Sequence, residues 1–137
     1  MSKTFLDANI LIDLVSPERP NHSYITEFLL FSNTKDLYIS TLSIHIAFYV
    51  LKIKPNTKRC NEMKILLNSI NIIPLTESIV KKSLGQNYSD FEDCLQYFSA
   101  IDNCDYLLTE DKRDFERIKK IYPSQIKIVS NPKDIQI

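Results

Sequence analysis

Short runs of apolar residues alternate along this chain with longer stretches in which apolar residues recur at helical spacing. The short runs predict buried strands, and the stretches between them predict amphipathic helices. Strands that alternate with helices are typical of a mainly parallel sheet with helices on both faces. We therefore expect an α/β fold, organised as a three-layer α/β/α sandwich. The predicted strands are residues 4–6, 37–40, 70–75, 105–108 and 126–129.

Prolines and capping residues set the limits of the predicted helices. The first helix follows Asp7, and Pro17 and Pro20 end it. Aromatic residues at helical spacing in the second helix indicate core packing, although the same stripe could be a dimer face. That stripe consists of Tyr24, Phe28 and Phe31, and a similar apolar stripe of the third helix consists of Leu42, Ile46, Tyr49, Val50 and Ile53. The helices after the first are predicted over residues 22–31, 41–53, from 57 onward, 76–84, 91–101 and 111–121.

Acidic residues stand at three junctions that the predicted topology can bring together. Asp7 and Asp111 come directly after strands, and Asp93 lies in the first turn of the helix that leads into the fourth strand. Junctions of this kind face the carboxyl edge of a parallel sheet, where ligands bind. Carboxylates gathered from distant segments repel one another unless a cation neutralises them, so the pattern indicates a divalent metal site.

Helix capping is a simpler interpretation of each acid taken alone. Asp7 can cap its helix, Asp90 can cap the next with Asp93 in the favourable first turn, and Asp111 can do the same before Asp114. Spacing alone leaves both the metal site and the caps open.

Composition narrows the functional classes. With 137 residues and 44% hydrophobic residues, the chain is expected to form one domain over residues 1–137. Its 17 basic and 17 acidic residues balance, so nucleic acid binding would have to be local. Cys60, Cys94 and Cys104 show no CxxC spacing, and the single Gly85 excludes a glycine-rich phosphate loop. We expect a cytoplasmic protein that does not associate with membranes.

Four segments together resemble a PIN domain, and they are similar to the PilT-like subgroup related to VapC toxins. The segments are residues 5–14, 39–43, 90–97 and 108–115, so the resemblance spans most of the chain. It implies a compact α/β/α fold and a ribonuclease that uses Mg²⁺ or Mn²⁺ held by acids. By position, the resemblance implies that Asp7, Asp93 and Asp111 are the catalytic acids and metal ligands, that Asp114 is a fourth ligand, and that Asn9 and Thr109 support the bound cofactor.

One position departs from the family pattern. The pattern has a glutamate about six residues after Ser40, where this chain has Ile46. The adjacent His45 would point roughly 100° away on a helix, and a partly buried histidine is the simpler interpretation of that residue than a metal ligand. The departure favours an alternative function, a PIN-fold module that binds RNA or a protein without strong catalysis, whereas the three retained acids favour the enzyme.

The resemblance also implies partners. They are RNA, a second copy of the chain in a homodimer, and an antitoxin whose basic side chain enters the acidic pocket. RNA would need positive charge nearby, although exposed charges are more often a solvated surface. The candidate cations are Lys112 and Arg113 beside the third acid, and Lys52, Lys54, Lys58 and Arg59 around the helical pair.

Two other phosphoryl-transfer families fit less well. A haloacid dehalogenase type of enzyme needs a second aspartate two residues after the first, and that position is Asn9. A response-regulator receiver needs an aspartate at the end of a central strand, but the run of residues 72–75 ends without one.

Overall fold

The computed structural model describes residues 2–85 and 90–135. Five short strands form one sheet in which every pairing is parallel. The strands are β1 (Thr4–Leu6), β2 (Leu37–Ser40), β3 (Asn71–Ile73), β4 (Tyr106–Leu108) and β5 (Lys127–Val129). Their order across the sheet is β3-β2-β1-β4-β5.

Helices connect the strands, and most begin at a capping residue that the sequence supplies. Thr57 and Thr76, for example, accept hydrogen bonds from the backbone N–H groups of the first turns that follow them. The helices of the described residues are α1 (Ala8–Val15), α2 (His22–Phe31), α3 (Thr41–Val50), α4 (Lys58–Ser69), α5 (Glu77–Leu84), α6 (Phe91–Ile101) and α7 (Lys112–Ile121). None of the helices in the described part of the chain is long and apolar enough to cross a lipid bilayer.

Hydrophobic residues of the sheet pack in two clusters, one on each face. Leu6 and Leu108 belong to the cluster that α1, α3 and α4 cover. Phe5 and Leu107, their neighbours in the chain, belong to the cluster that α5, α6 and α7 cover. Because successive strand residues point to opposite faces, this division confirms the predicted three-layer α/β/α sandwich.

Two predicted apolar stripes are only partly covered by the core. In α2, Tyr24 is 38% exposed and donates a hydrogen bond to Asn131, and Phe31 is 77% exposed, so core packing is the wrong explanation for both. Only Phe28 of that stripe packs against the core. In α3, Tyr49 and Val50 are also exposed. Helical spacing shows that residues share a side of a helix, but not whether another element covers that side.

The third helix is also shorter than predicted. It ends at Val50 rather than Ile53, and Lys52 has a φ of 50°. This left-handed conformation cannot continue a right-handed helix. The chain therefore turns before Lys54 and Pro55.

The edge of the sheet that carries Asp7 and Asp111 lies where the direction of strand addition reverses. From β1 the chain adds β2 and β3 on one side, and it then crosses to add β4 and β5 on the other. The carboxyl ends of β1 and β4 are therefore adjacent, and the Asp7 N–H donates to the Leu108 carbonyl at 3.0 Å. Ligands of open α/β sheets bind at such a switch point.

Candidate active site

Asp7 lies at the end of β1 and is 6% exposed. Its Oδ1 accepts a hydrogen bond from the Ala8 N–H at 2.8 Å, so it does cap α1. Its Oδ2 accepts from the Thr109 hydroxyl at 2.8 Å, directly after β4. The capping bond thus uses Oδ1, and Oδ2 is held by Thr109, which lies 102 positions further along the chain. Asp7 therefore joins the ends of two central strands.

Thr109 also positions the third predicted acid. Its hydroxyl oxygen accepts from the Asp111 N–H at 2.9 Å, and Asp111 Oδ2 accepts from the Asn9 side-chain amide at 3.3 Å. Asp111 occupies the N-cap position of α7, but its side chain makes no capping hydrogen bond. Capping therefore does not explain Asp111.

Asp93 enters the same region from α6. Asp90 caps that helix by accepting from the Glu92 and Asp93 N–H groups, which leaves the Asp93 carboxylate free of this task. The Asp93 side chain is half-buried in the first turn of α6.

The charges of neighbouring carboxylates contribute to the raised pKa values of Asp7 and Asp93. Burial raises the pKa of Asp7 from 3.8 to about 6, with the charges of Asp111 and Glu92 adding to it and the bonds from Thr109 and Ala8 opposing it. Burial also raises the pKa of Asp93 from 3.8 to about 7, and the charges of four other carboxylates contribute to this rise. These four are Asp90, Asp7, Asp114 and Asp111. The structure therefore brings all four predicted acids into one electrostatic cluster.

Within the described part of the chain, no basic side chain pairs with the acidic cluster. Among residues 2–85 and 90–135, no Lys, Arg or His forms an ion pair with Asp7, Asp93, Asp111 or Asp114. Within the same ranges, no group of three Asp, Glu, His or Cys side chains stands close enough to hold a metal ion as placed. Oxygen donors of this kind are nevertheless the ligands that hard divalent cations prefer. The donor set fits such a cation, which would have to draw the carboxylates closer.

A buried polar network beneath Asp7 contains residues to which the sequence analysis assigned no function. Gln96 is 1% exposed, and its amide nitrogen lies 3.4 Å from Asp7 Oδ1 and 2.5 Å from the Ser43 hydroxyl oxygen. Its amide oxygen accepts from the Ser40 hydroxyl at 2.6 Å. The available signal was a glutamine one helical turn after Asp93 among the apolar residues of α6.

Two further predicted positions lie outside this network. His45 is exposed, and its ring stacks on that of Tyr49 with centroids 6.5 Å apart. The prediction that His45 is partly buried is therefore wrong. Ile46, at the position of the missing glutamate, packs against the core cluster on the α3 side of the sheet. It contributes no oxygen donor.

A search of family models matches the PIN domain to residues 4–121. Among curated proteins, Ribonuclease VapC1 of Aquifex aeolicus is 32% identical over 118 residues, which are 80% of this chain and 82% of that protein. The family model thus covers β1 to β4, the seven helices and the four acids described above.

Solved structures share the fold at lower identity. The Mycobacterium tuberculosis toxin VapC20, described as cleaving the sarcin-ricin loop, has a TM-score of 0.66 and 12% identity, over 85% of this chain and 95% of that chain. VapBC2 from Rickettsia felis, bound to a promoter DNA fragment, has a TM-score of 0.61 and 21% identity, over 92% of this chain and 96% of that chain. The family model spans four of the five strands, β1 to β4, and Ribonuclease VapC1 matches 80% of the chain at 32% identity. This chain therefore belongs to the PIN domain family.

Proposed function

We propose that this chain is a ribonuclease that hydrolyses phosphodiester bonds of RNA and that Asp7, Asp93 and Asp111 form its active centre. The observation that carries the proposal is the gathering of carboxylates at one sheet edge without a basic partner among the described residues. Burying such charges opposes folding unless a ligand compensates for it, and strongly raised pKa values of this kind concentrate at functional sites.

Ribonucleases of this family generally use a divalent metal ion. Here Asp7 and Asp93 would hold Mg²⁺ or Mn²⁺, and Asp111 and Asp114 would complete the ligand set directly or through water. When bound, such an ion lowers the pKa of a coordinated water and neutralises charge on the phosphoryl oxygens. The protein needs no nucleophile of its own for this chemistry.

Neighbouring side chains orient these acids. Thr109 holds one oxygen of Asp7 and the backbone of Asp111, and Asn9 holds the Asp111 carboxylate. Gln96, anchored by Ser40 and Ser43, fixes the other side of Asp7. Groups that orient metal ligands commonly change metal affinity or activity by about 10- to 100-fold.

The chain acts as the toxin of a toxin–antitoxin pair. In support, the chain has a fold similar to that in VapBC2 and is 32% identical to Ribonuclease VapC1 over 118 residues. The antitoxin would place a basic side chain in the acidic cluster, which lacks a cation in the described part of the chain. A homodimer is consistent with the exposed apolar residues of α2, where Leu30 and Phe31 are each 77% exposed.

One observation favours a second candidate function, a PIN-fold module that binds RNA or a protein without cleaving it. Ile46 supplies no carboxylate where the family pattern has glutamate, and no three donors of the described residues are arranged to hold a metal as placed. The acids retained at positions 7, 93 and 111 favour the enzyme.

Cleavage of a long single-stranded RNA transcript in Mn²⁺ or Mg²⁺ and in EDTA tests the proposal. We expect the wild type to cut the transcript only with metal, and Asp93→Asn to lose this activity. Asp102→Asn is the matched control because Asp102 is exposed at the opposite end of α6. RNA left intact by the folded wild type under every metal condition, or cut equally by Asp93→Asn, would favour the binding module.

A further inference from the structure

Helix α7 carries a concentration of positive charge in a chain whose charges balance overall. Its ten residues contain five of the chain's 17 basic residues and two of its 17 acidic residues. The helix begins directly after Asp111, and Asp114 lies in its first turn. The basic segment therefore starts at the acidic cluster.

The structure separates the basic residues of α7 by what they contact. Phe115 and Ile118 bury the inner face of the helix. The Lys119 ammonium donates to the Ile126 carbonyl at 2.7 Å and so belongs to the fold. The remaining four are exposed and form no ion pair with any described residue: Lys112, Arg113, Arg117 and Lys120.

The second basic region is less available to a ligand. At the start of α4, Arg59 binds Glu18 with an N–O distance of 2.8 Å, and Lys58 lies 3.9 Å from Glu62. Acids of the chain thus already neutralise part of that region. Of the two basic regions, α7 presents the greater unpaired positive charge.

Three of the α7 cations line one groove. Arg113, Arg117 and Lys120 follow one another at spacings of four and three residues, which places them on one side of the helix. With Glu116, Lys119 and Pro123 they line a groove of about 620 Å³. The seven-residue separation of the outer two corresponds to about 10 Å along the helix axis. The groove therefore presents a row of charges rather than a single one.

We propose that this face of α7 binds the sugar–phosphate backbone of single-stranded RNA as the strand leaves the acidic cluster. The inference rests on the proposed function, because it assigns a binding path to the substrate of that site. Without a bound metal ion the carboxylates at the cleavage site repel phosphates, and neighbouring cations supply an attraction for RNA that does not depend on the metal. A row of cations matches a repeating anion, and the alkyl arms of arginine and lysine beside Pro123 give bases an apolar surface.

Binding measured without catalysis tests the path. Anisotropy of a fluorescein-labelled 12-nucleotide oligouridylate would be followed in EDTA over a series of KCl concentrations. In the variant Arg113→Gln/Arg117→Gln/Lys120→Gln, we expect Kd at 0.1 M KCl to rise at least about tenfold. The slope of log K against log salt should become shallower by about 2, since each lost phosphate contact on a single strand removes about 0.7.

A charge-matched control separates the path from net charge. Lys35→Gln/Lys64→Gln/Lys133→Gln removes three exposed lysines that form no ion pair with any described residue, and its Kd should stay within about twofold of the wild type. Equal losses in both triple variants, or none in either, would overturn the proposal. Unchanged thermal unfolding of both variants checks folding, and Arg117→Lys, which keeps the charge, should retain binding.

The outcome is distinguishable from failure of the proposed function. Binding that depends on α7 in a protein that never cleaves RNA would leave the path standing and remove the nuclease. If cleavage depends on Asp93 but the α7 variant binds RNA as the wild type does, the binding path is wrong and the nuclease stands. If the variant keeps RNA but loses a fluorescent oligoglutamate peptide, α7 serves an acidic protein partner and the proposal is wrong.

Discussion

Asp7 and Asp13 stand at the two ends of α1, and the fold treats these two buried carboxylates differently. Asp13 is 1% exposed and its Oδ1 lies 2.7 Å from the Arg19 Nε, so a guanidinium compensates its charge. Asp7 is 6% exposed, but its hydrogen-bond donors are neutral and the charged groups that act on its pKa are other acids. Asp13 also interacts with a carboxyl group, that of Glu110, whose pKa it raises, but the Arg19 guanidinium lies beside it. A buried carboxylate with a cation serves the fold, whereas Asp7, which has no such cation among the described residues, requires a further, functional explanation.

The largest contrast between the two acids should appear in RNA cleavage. Asp7→Asn keeps the size of the side chain but removes the charge that would hold the metal. We expect cleavage of a single-stranded transcript in Mn²⁺ to fall at least about a hundredfold, since even groups that only orient metal ligands contribute about 10- to 100-fold. Initial rates of product formation measure this effect. Full activity in Asp7→Asn would place the active centre elsewhere.

The second-largest effect of Asp7 should appear in how the free energy of unfolding depends on pH. The unfolded chain releases the Asp7 proton near pH 3.8 and the folded protein only near pH 6. The folded state thus binds more protons in this window, so the free energy of unfolding without metal falls as pH rises from about 4 to 7. Asp7 contributes up to about 3 kcal/mol to that fall.

Urea unfolding in EDTA between pH 4 and 7.5 measures this contribution. The Asp7→Asn variant should lose less stability over this range than the wild type, while Asp102→Asn should behave as the wild type does. Asp93 adds to the effect in the same direction, reduced by its partial exposure to solvent. Parallel pH profiles for wild type and Asp7→Asn would mean that Asp7 titrates alike in both states.

Asp13→Asn should change stability rather than activity. The substitution leaves the Arg19 guanidinium without its carboxylate. Because the Arg19 side chain is 35% exposed, the loss should be about 1–2 kcal/mol, below that for a fully buried pair. Urea unfolding at pH 7 checks the free energy, and the cleavage rate of the folded variant should remain within a fewfold. A hundredfold loss of activity at unchanged stability would make Asp13 part of the active centre.

Thr109→Val should reduce cleavage less than Asp7→Asn does, because it alters only how Asp7 and Asp111 are held. Valine keeps the shape but removes the hydroxyl that donates to Asp7 Oδ2 and accepts from the Asp111 N–H. Cleavage should fall about tenfold. The Thr109 bond lowers the pKa of Asp7, so the rise in activity with pH should also shift to higher pH. Thr109→Ser should restore both, and a shift with Thr109→Ser as large as that with Thr109→Val would argue against the hydroxyl.

Much of the fold could be predicted because its signals are local. The apolar run at residues 4–6 and the helical pattern at residues 91–101 have the limits that the structure shows. The meeting of Asp7 and Asp111 could also be predicted, since both follow strands that pair in parallel, with Leu6 opposite Leu108. A parallel sheet places such junctions on one edge regardless of how far apart they lie in the chain.

Other features could not be predicted because they depend on contacts between distant segments. The network of Gln96 with Ser40 spans 56 positions and follows no periodic pattern. Which acid caps a helix and which remains free is also a matter of side-chain geometry, as Asp90 and Asp111 show. The exposure of Tyr24 and Phe31 reflects which face of α2 the neighbouring helix α1 covers.

Calorimetric titration with Mn²⁺ tests most directly whether the acids form one metal site, because it requires no RNA substrate. Wild type, Asp7→Asn, Asp93→Asn and the control Asp13→Asn would be compared at pH 7.5, above the pKa values of about 6 and 7 of the two cluster acids. We predict binding by the wild type and by Asp13→Asn, and loss of binding in both cluster variants. No binding by the wild type, or binding that neither Asp7→Asn nor Asp93→Asn changes, would contradict a shared metal site.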